Sequence, residues 1–278
     1  MNVLAAIILG AIQGLTEFLP ISSSAHLAII HKLFGWNTSD NLLFDVLLHV
    51  GTLVALFAYF WREWADMIKA NIALSRIKDT EDPAYVALKG KTMPILPILI
   101  ACVPAAISGF LLEKVVAAKF DNAALIACMM IIMGLVMAFA DRTARRIKSL
   151  QKTSVKDWLV IGLAQAFAVI PGVSRSGVTI TAGLFCGLKR DAAAKTSFML
   201  GTPLIFGAAV FELRKVSGLA VSDILPMLMG LGTSALVGYI SIGYLLEYLK
   251  KRGVASFVLY RIVFGLTVLA LYAGGLLR

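Results

Sequence analysis

The chain has 278 residues, of which 59% are hydrophobic and only 15% charged, with a mean hydropathy of +0.87. Soluble domains lie nearer half apolar and a quarter charged, so an ordinary soluble domain is excluded and an all-α polytopic membrane protein is expected. The net charge of +10 would point to nucleic acid in a soluble protein. Here the basic residues fall between apolar runs, so membrane topology accounts for them and no nucleic-acid partner is expected.

At about 20 residues per span, the length has room for about seven to nine embedded segments. The N-terminus, Met1-Asn2-Val3-Leu4, has no basic region and no small-residue cleavage site after its first apolar run, so a cleavable signal peptide is not expected. Residues 3–12 are apolar, but Gln13, Thr16, Glu17 and Pro20 interrupt them before a span is complete. Ile21-Ser22-Ser23-Ser24-Ala25-His26 follows, then a second short apolar run to about Phe34. Two half-length pieces around a polar break predict a re-entrant hairpin, because irregular backbone at membrane depth survives only where protein buries it or it lines a wet cavity. Residues 42–61 read as a full span ending at Trp61-Arg62-Glu63-Trp64, and 65–92 as a hydrophilic loop. Spans at about 93–112 and 122–140 follow, then a basic linker over 141–148.

The second half repeats this order. A broken apolar pair covers 157–188, and spans follow at about 194–213, 223–248 and 255–277. Gly10 and Gln13 before Pro20 parallel Gly162 and Gln165 before Pro171, and serines follow each proline. Gly51-Thr52 matches Gly201-Thr202, Pro97 with Gly109 matches Pro226 with Gly238, and Gly134-Leu135 matches Gly265-Leu266. The expectation is one integral-membrane domain made of two repeats, 1–150 and 151–278, each with one re-entrant hairpin and three spans, about six transmembrane helices in all. An odd number of crossings per half inverts the second repeat, which brings the two broken segments together near the midplane. Placing 62–92, 141–157, 189–195 and 249–252 on one side gathers 18 Lys and Arg there, against six (Lys32, Lys114, Lys119, Arg214, Lys215, Arg278) on the other. The positive-inside bias puts the first set in the cytoplasm and both termini outside.

The three cysteines, Cys102, Cys128 and Cys186, lie in apolar runs with no CxxC or Cys/His pattern and read as small core residues. The chemistry sits in the breaks. The first offers Gln13, Glu17, Ser22, Ser23, Ser24 and His26; the second, Pro171-Gly172-Val173-Ser174-Arg175-Ser176-Gly177-Val178-Thr179, offers hydroxyls and a guanidinium. An arginine at membrane depth is costly and marks a functional site by default. Each serine run precedes an apolar helical stretch, where free N–H groups and the positive helix end suit phosphate oxygens. Arg175 adds a permanently charged fork for phosphate, and Glu17 a carboxylate for Mg²⁺ or Ca²⁺. Ser22 and Ser23 lie four and three residues before His26, so a helix sets the imidazole over the hydroxyls. The set fits phosphoryl transfer with a covalent or water nucleophile. Structural readings stand beside it: membrane serines bond back to the preceding turn, His26 can be a packed polar residue, Asp45 and His49 can be interfacial, and Arg261 can snorkel to the cytoplasmic surface.

The stretch Gln13-Gly14-Leu15-Thr16-Glu17 through His26 resembles the (Glu/Gln)xxxGlu signature and its serine–histidine extension in bacterial undecaprenyl-pyrophosphate phosphatases, the bacitracin-resistance family. Pro171–Thr179 resembles that family's PGxSRSxxT signature. The likeness extends through Phe44-Asp45, Trp61-Arg62 and Tyr260-Arg261, with Ala25 standing where glycine is expected. It implies a bacterial inner-membrane hydrolase that converts undecaprenyl pyrophosphate to undecaprenyl phosphate, with a pocket open to the periplasmic face. It also implies Glu17 on the metal, Ser23 as nucleophile or water holder supported by Ser22 and His26, and direct attack by His26 as the competing mechanism. Arg175, Ser174, Ser176 and Thr179 would clamp the pyrophosphate, with Gln13 beside them. The lipid bilayer and a polyprenyl pyrophosphate are the partners this implies, and a homodimer is an open option. A lipid flippase or transporter shares the inverted-repeat plan and is the alternative. A type 2 phosphatidic-acid phosphatase is set aside, because the chain has no Arg-Pro dipeptide.

Overall fold

The computed structural model describes residues 2–36, 41–77, 79, 81–119, 122–214 and 221–277. Lys78, Lys215 and Arg278 of the charge comparison lie outside them. The described residues form eleven α-helices and no strand: α1 (Val3–Phe18), α2 (Ser23–Phe34), α3 (Asn41–Arg76), α4 (Pro83–Lys91), α5 (Ile95–Lys119), α6 (Ala123–Thr143), α7 (Val155–Gln165), α8 (Arg175–Phe185), α9 (Arg190–Leu213), α10 (Val221–Lys251) and α11 (Ala255–Ala273). Six of them, α3, α5, α6, α9, α10 and α11, are long and apolar enough to cross a membrane.

Polar side chains mark several helix starts. Asn2 Oδ1 accepts from the Ala5 N–H (2.7 Å), and Asn122 Oδ1 from Ala124 (2.8 Å). Ser154 and Asp157 close a reciprocal capping box on α7, and Lys148 Nζ donates to Asp157 Oδ2 at 2.9 Å. The hydrophilic loop expected over 65–92 is instead mostly helix. α3 bends at Phe60 (φ −105°, ψ 15°) and runs on to Arg76, and α4 follows. Charged residues such as Arg62, Glu63, Asp66 and Lys69 suit a solvated helix face as well as a loop, so their polarity marks the membrane boundary rather than a helix end.

The packing between helices is reciprocal. α1 lies against α10, and α7 lies against α5. Both contacts are backbone-close: a Cβ at Gly10 would stand 2.4 Å from the Gly230 carbonyl, and one at Gly162 would stand 2.3 Å from that of Ala101. α3 packs on α9, and α6 on α11. The largest buried core, which includes Phe18, Phe60, Trp158 and Phe198, fills the space between these pairs. At one end of the bundle Lys195 pairs with Glu63 (2.9 Å) and Arg190 with Asp141 (2.6 Å). A Cβ on Gly253 would meet Asp141 Oδ2 at 2.9 Å. The four Lys/Arg-rich regions therefore share one end.

Candidate active site

α1 and α2 are separated by Leu19–Ser22, and α7 and α8 by a 3₁₀ turn and residues 170–174. Each break ends on a serine with nearly the same left-handed backbone, Ser22 at φ 75°, ψ 94° and Ser174 at φ 74°, ψ 113°. Such a conformation costs a non-glycine residue about 1–3 kcal/mol and persists only where neighbours hold it. The two turns share a further detail, since Ser22 Oγ lies 3.2 Å from Ser24 Oγ and Ser174 Oγ 3.2 Å from Ser176 Oγ.

Arg261 of α11 holds both breaks. Its Nη1 donates to the Pro20 carbonyl (3.1 Å), Nη2 to Gly172 (2.6 Å) and Val173 (3.2 Å), and Nε to Met130 of α6 (2.9 Å). It is 1% exposed, so the snorkelling reading is overturned: three carbonyls freed at the two breaks, with that of Met130 on α6, attract the guanidinium more than the interface does.

The turns bring Glu17 and Arg175 together. Arg175 Nη2 donates to Glu17 Oε1 at 2.9 Å; the Glu17 side chain is buried and that of Arg175 is 10% exposed. Glu17 Oε2 accepts from Ser23 Oγ at 2.6 Å and from Gln13 Nε2 at 3.2 Å, with His49 Nε2 at 3.8 Å. Behind Arg175, Nη1 donates to the Ser197 carbonyl (3.1 Å), and Thr179 Oγ1 lies 2.7 Å from both Ser197 Oγ and the Arg175 carbonyl. A Cβ on Gly201 would meet Arg175 Nη1 at 2.4 Å, so the guanidinium occupies the space that a side chain at 201 would take.

These groups border a cavity of about 420 Å³. Glu17, Ser22, Ser23, Ser24, Ser174 and Arg175 line it on the polar side; Ala105, Leu204, Ile205, Ala208 and Ala209 supply apolar wall. The first N–H groups of α2 and α8 have no carbonyl partner within their helices, and the positive helix ends favour an anion here. Four other expected residues do not border the cavity. Thr179 buttresses Arg175, Ser176 Oγ donates to the Leu19 carbonyl (3.1 Å), and Gln13 stands behind Glu17. His26 has Nδ1 on the Ser22 carbonyl (2.7 Å) and Nε2 on the Tyr260 hydroxyl (2.6 Å), with its ring stacked on Phe264. The imidazole that borders the cavity is His49, together with Asp45; their four-residue spacing on a span was the only signal in the sequence. Ser197 carried none, because its partners Thr179 and Arg175 are 18 and 22 residues away; Arg261 stood out as a charge in the last span, but its partners, 88 to 241 residues away, did not.

A divalent cation fits the donor set only in part. Among the described residues no three His, Cys, Asp or Glu gather into a cage, and both Glu17 oxygens already face donors. Gln13, whose Nε2 faces Glu17, does not border the cavity, so Glu17 is the carboxylate left for an ion. That set suits a cation carried largely by phosphate oxygens and one carboxylate.

A sequence model of the family described as "Bacitracin resistance protein BacA" matches residues 6–267. An undecaprenyl-diphosphatase of Pelotomaculum thermopropionicum is 46% identical over 273 residues, covering 98% of each chain. Undecaprenyl-diphosphatases of Desulforudis audaxviator (41%, 98% of each chain) and Geobacter metallireducens (43%, 97% of this chain and 98% of that one) are similar over the same extent. A match of this length, together with identities above two-fifths from end to end, means that the chain belongs to the bacitracin resistance protein BacA family.

Proposed function

We propose that this protein is an integral-membrane hydrolase that dephosphorylates undecaprenyl pyrophosphate to undecaprenyl phosphate, which recycles the lipid carrier of peptidoglycan synthesis and confers bacitracin resistance. One observation carries the reading: a serine hydroxyl, a carboxylate and a guanidinium meet at 2.6 and 2.9 Å beside a cavity bordered by two helix N-termini. Ser23 Oγ attacks the terminal phosphorus, and its proton passes to Glu17 Oε2. The bond from phosphorus to the bridging oxygen breaks, and undecaprenyl phosphate leaves with that electron pair. Water then attacks the phosphoserine and leaves one proton on a phosphate oxygen; the bond from phosphorus to Ser23 Oγ breaks, the Glu17 proton returns to that oxygen, and inorganic phosphate departs with both hydrogens of the water. Arg175 and Ser174 hold the phosphoryl oxygens with the N–H groups of the two helix starts, and Thr179 and Ser176 brace that clamp. His26 supports the Ser22 turn; with both ring nitrogens engaged away from the cavity, it is a weaker candidate nucleophile than Ser23.

The reaction uses Mg²⁺ or Ca²⁺, which Glu17 would hold; the ion would supply neutralisation of charge on the phosphate oxygens. The reciprocal packing and the matched serine turns support two inverted repeats, 1–150 and 151–278, each with a re-entrant hairpin. The basic end of the bundle is assigned to the cytoplasm, which opens the site toward the outer face of the bacterial inner membrane and leaves both termini outside.

Purified protein incubated with undecaprenyl pyrophosphate and Mg²⁺ should release inorganic phosphate, and Arg175→Ala and Glu17→Ala should each lower the rate by at least about 10². Lipid transfer across vesicles without phosphate release would instead favour a flippase.

A further inference from the structure

Gln165, the last residue of α7, is fully buried, yet neither Nε2 nor Oε1 has a hydrogen-bond partner. A polar neighbour within reach is the Cys102 thiol, at best a weak acceptor for the amide; its Sγ lies 3.3 Å from the Ile98 carbonyl and 3.5 Å from that of Leu200. Interiors rarely leave both ends of a carboxamide unpaired, because each end forfeits its bonds to water with nothing in return. The side chain borders the cavity that also exposes Ser174, Arg175, Glu17 and Ser23. It comes from the helix just before the second break, at the place where Gln13 stands before the first. Gln13 is satisfied at one end, since its Nε2 donates to Glu17 while its Oε1 is unpaired. Gln165 has no comparable carboxylate partner.

We propose that Gln165 is a substrate-contact residue: a small rotamer change lets its Nε2–H₂ donate to a phosphoryl oxygen of the bound pyrophosphate, on the side of the cavity formed by α5 and α7. A neutral amide suits this position. Beside Arg175 it adds a directed donor without adding a second charge, and a glutamate of the same shape would repel the anion. The proposal rests on the diphosphatase reading of the cavity. It goes beyond that reading in giving the second half of the chain a phosphate contact outside the Ser174–Thr179 turn.

The test uses Gln165→Met, which keeps length and flexibility, and Gln165→Glu, which keeps shape. Both are purified in detergent as full chains and compared with the parent protein. Three readouts are taken: thermal unfolding alone, the unfolding shift produced by methylenediphosphonate with Mg²⁺, and kcat/KM for undecaprenyl pyrophosphate. The expected result is that Gln165→Met unfolds at or above the parent temperature, because an unpaired amide has been removed. It should lose most of the methylenediphosphonate shift, and its kcat/KM should fall about ten- to hundredfold, the worth of one hydrogen bond to a charged group. Gln165→Glu should fall further. A lower unfolding temperature in Gln165→Met with an undiminished methylenediphosphonate shift would make Gln165 structural and overturn the proposal. So would parent-like kcat/KM in both variants. If the parent protein neither releases phosphate nor responds to methylenediphosphonate, the diphosphatase reading itself fails and takes this contact with it.

Discussion

Arg261 tests whether the two breaks are one mechanical unit. Its guanidinium spans three places at once: Nη1 on the first break, Nη2 on the second and Nε on α6. In Arg261→Lys the charge remains but the fork is lost, and an ammonium presents its donors from a single point. Of the four carbonyls now bonded, about two would be left buried and unpaired, which costs roughly 1–3 kcal/mol each, or about 2–6 kcal/mol together. The strained turns at Ser22 and Ser174 lose an anchor at the same time. A displacement of about 1 Å at Ser23 or Arg175 is enough to cost about 10² in rate. Unfolding midpoints in detergent and phosphate release, measured well below the midpoint, should therefore both fall in Arg261→Lys. Parent-like values in both assays would refute the claim that this side chain couples the two halves of the site.

Gly201→Ala places a methyl where Arg175 Nη1 now lies 2.4 Å away, and the flexible guanidinium yields more readily than the α9 backbone. Its kcat/KM should drop about tenfold or more with little change in unfolding temperature; a large destabilisation with normal kcat/KM would contradict the positioning role. Ser23→Ala should abolish turnover while methylenediphosphonate binding persists, because Arg175 and the helix N-termini remain. His26→Ala should mainly destabilise the Ser22 turn and keep residual turnover, and full activity in Ser23→Ala would retire the serine nucleophile.

The six spans were legible because each needs only an unbroken apolar run of the right length, a local property of composition. Both breaks were legible for the opposite reason: Pro20 and Pro171 stand among polar residues inside apolar stretches too short to span. Helix continuation past Trp64 was not legible, since Arg62, Glu63, Asp66 and Lys69 suit a solvated helix as well as a loop. Nor was the fate of His26. Its spacing from Ser22 and Ser23 placed it correctly on the first turns of α2, but side-chain direction was decided by Tyr260 and Phe264, more than 230 residues away.

By itself the sequence determined the class of the protein, the number of spans, the location of both breaks and the residues from which a phosphate site can be built. These follow from hydrophobicity, from proline's missing N–H and from the cost of placing charge in lipid, none of which requires knowing what lies opposite. Tertiary structure decided which of those residues meet. It set Glu17 between Ser23 and Arg175, turned His26 toward Tyr260, placed His49 beside the cavity, left Gln165 unpartnered, and drew Arg261 inward to four carbonyls. Those outcomes depend on helix-to-helix packing at glycine contacts such as Gly10 on Gly230 and Gly162 on Ala101. Packing of that kind joins residues far apart in the chain, and a linear pattern does not encode the pairing.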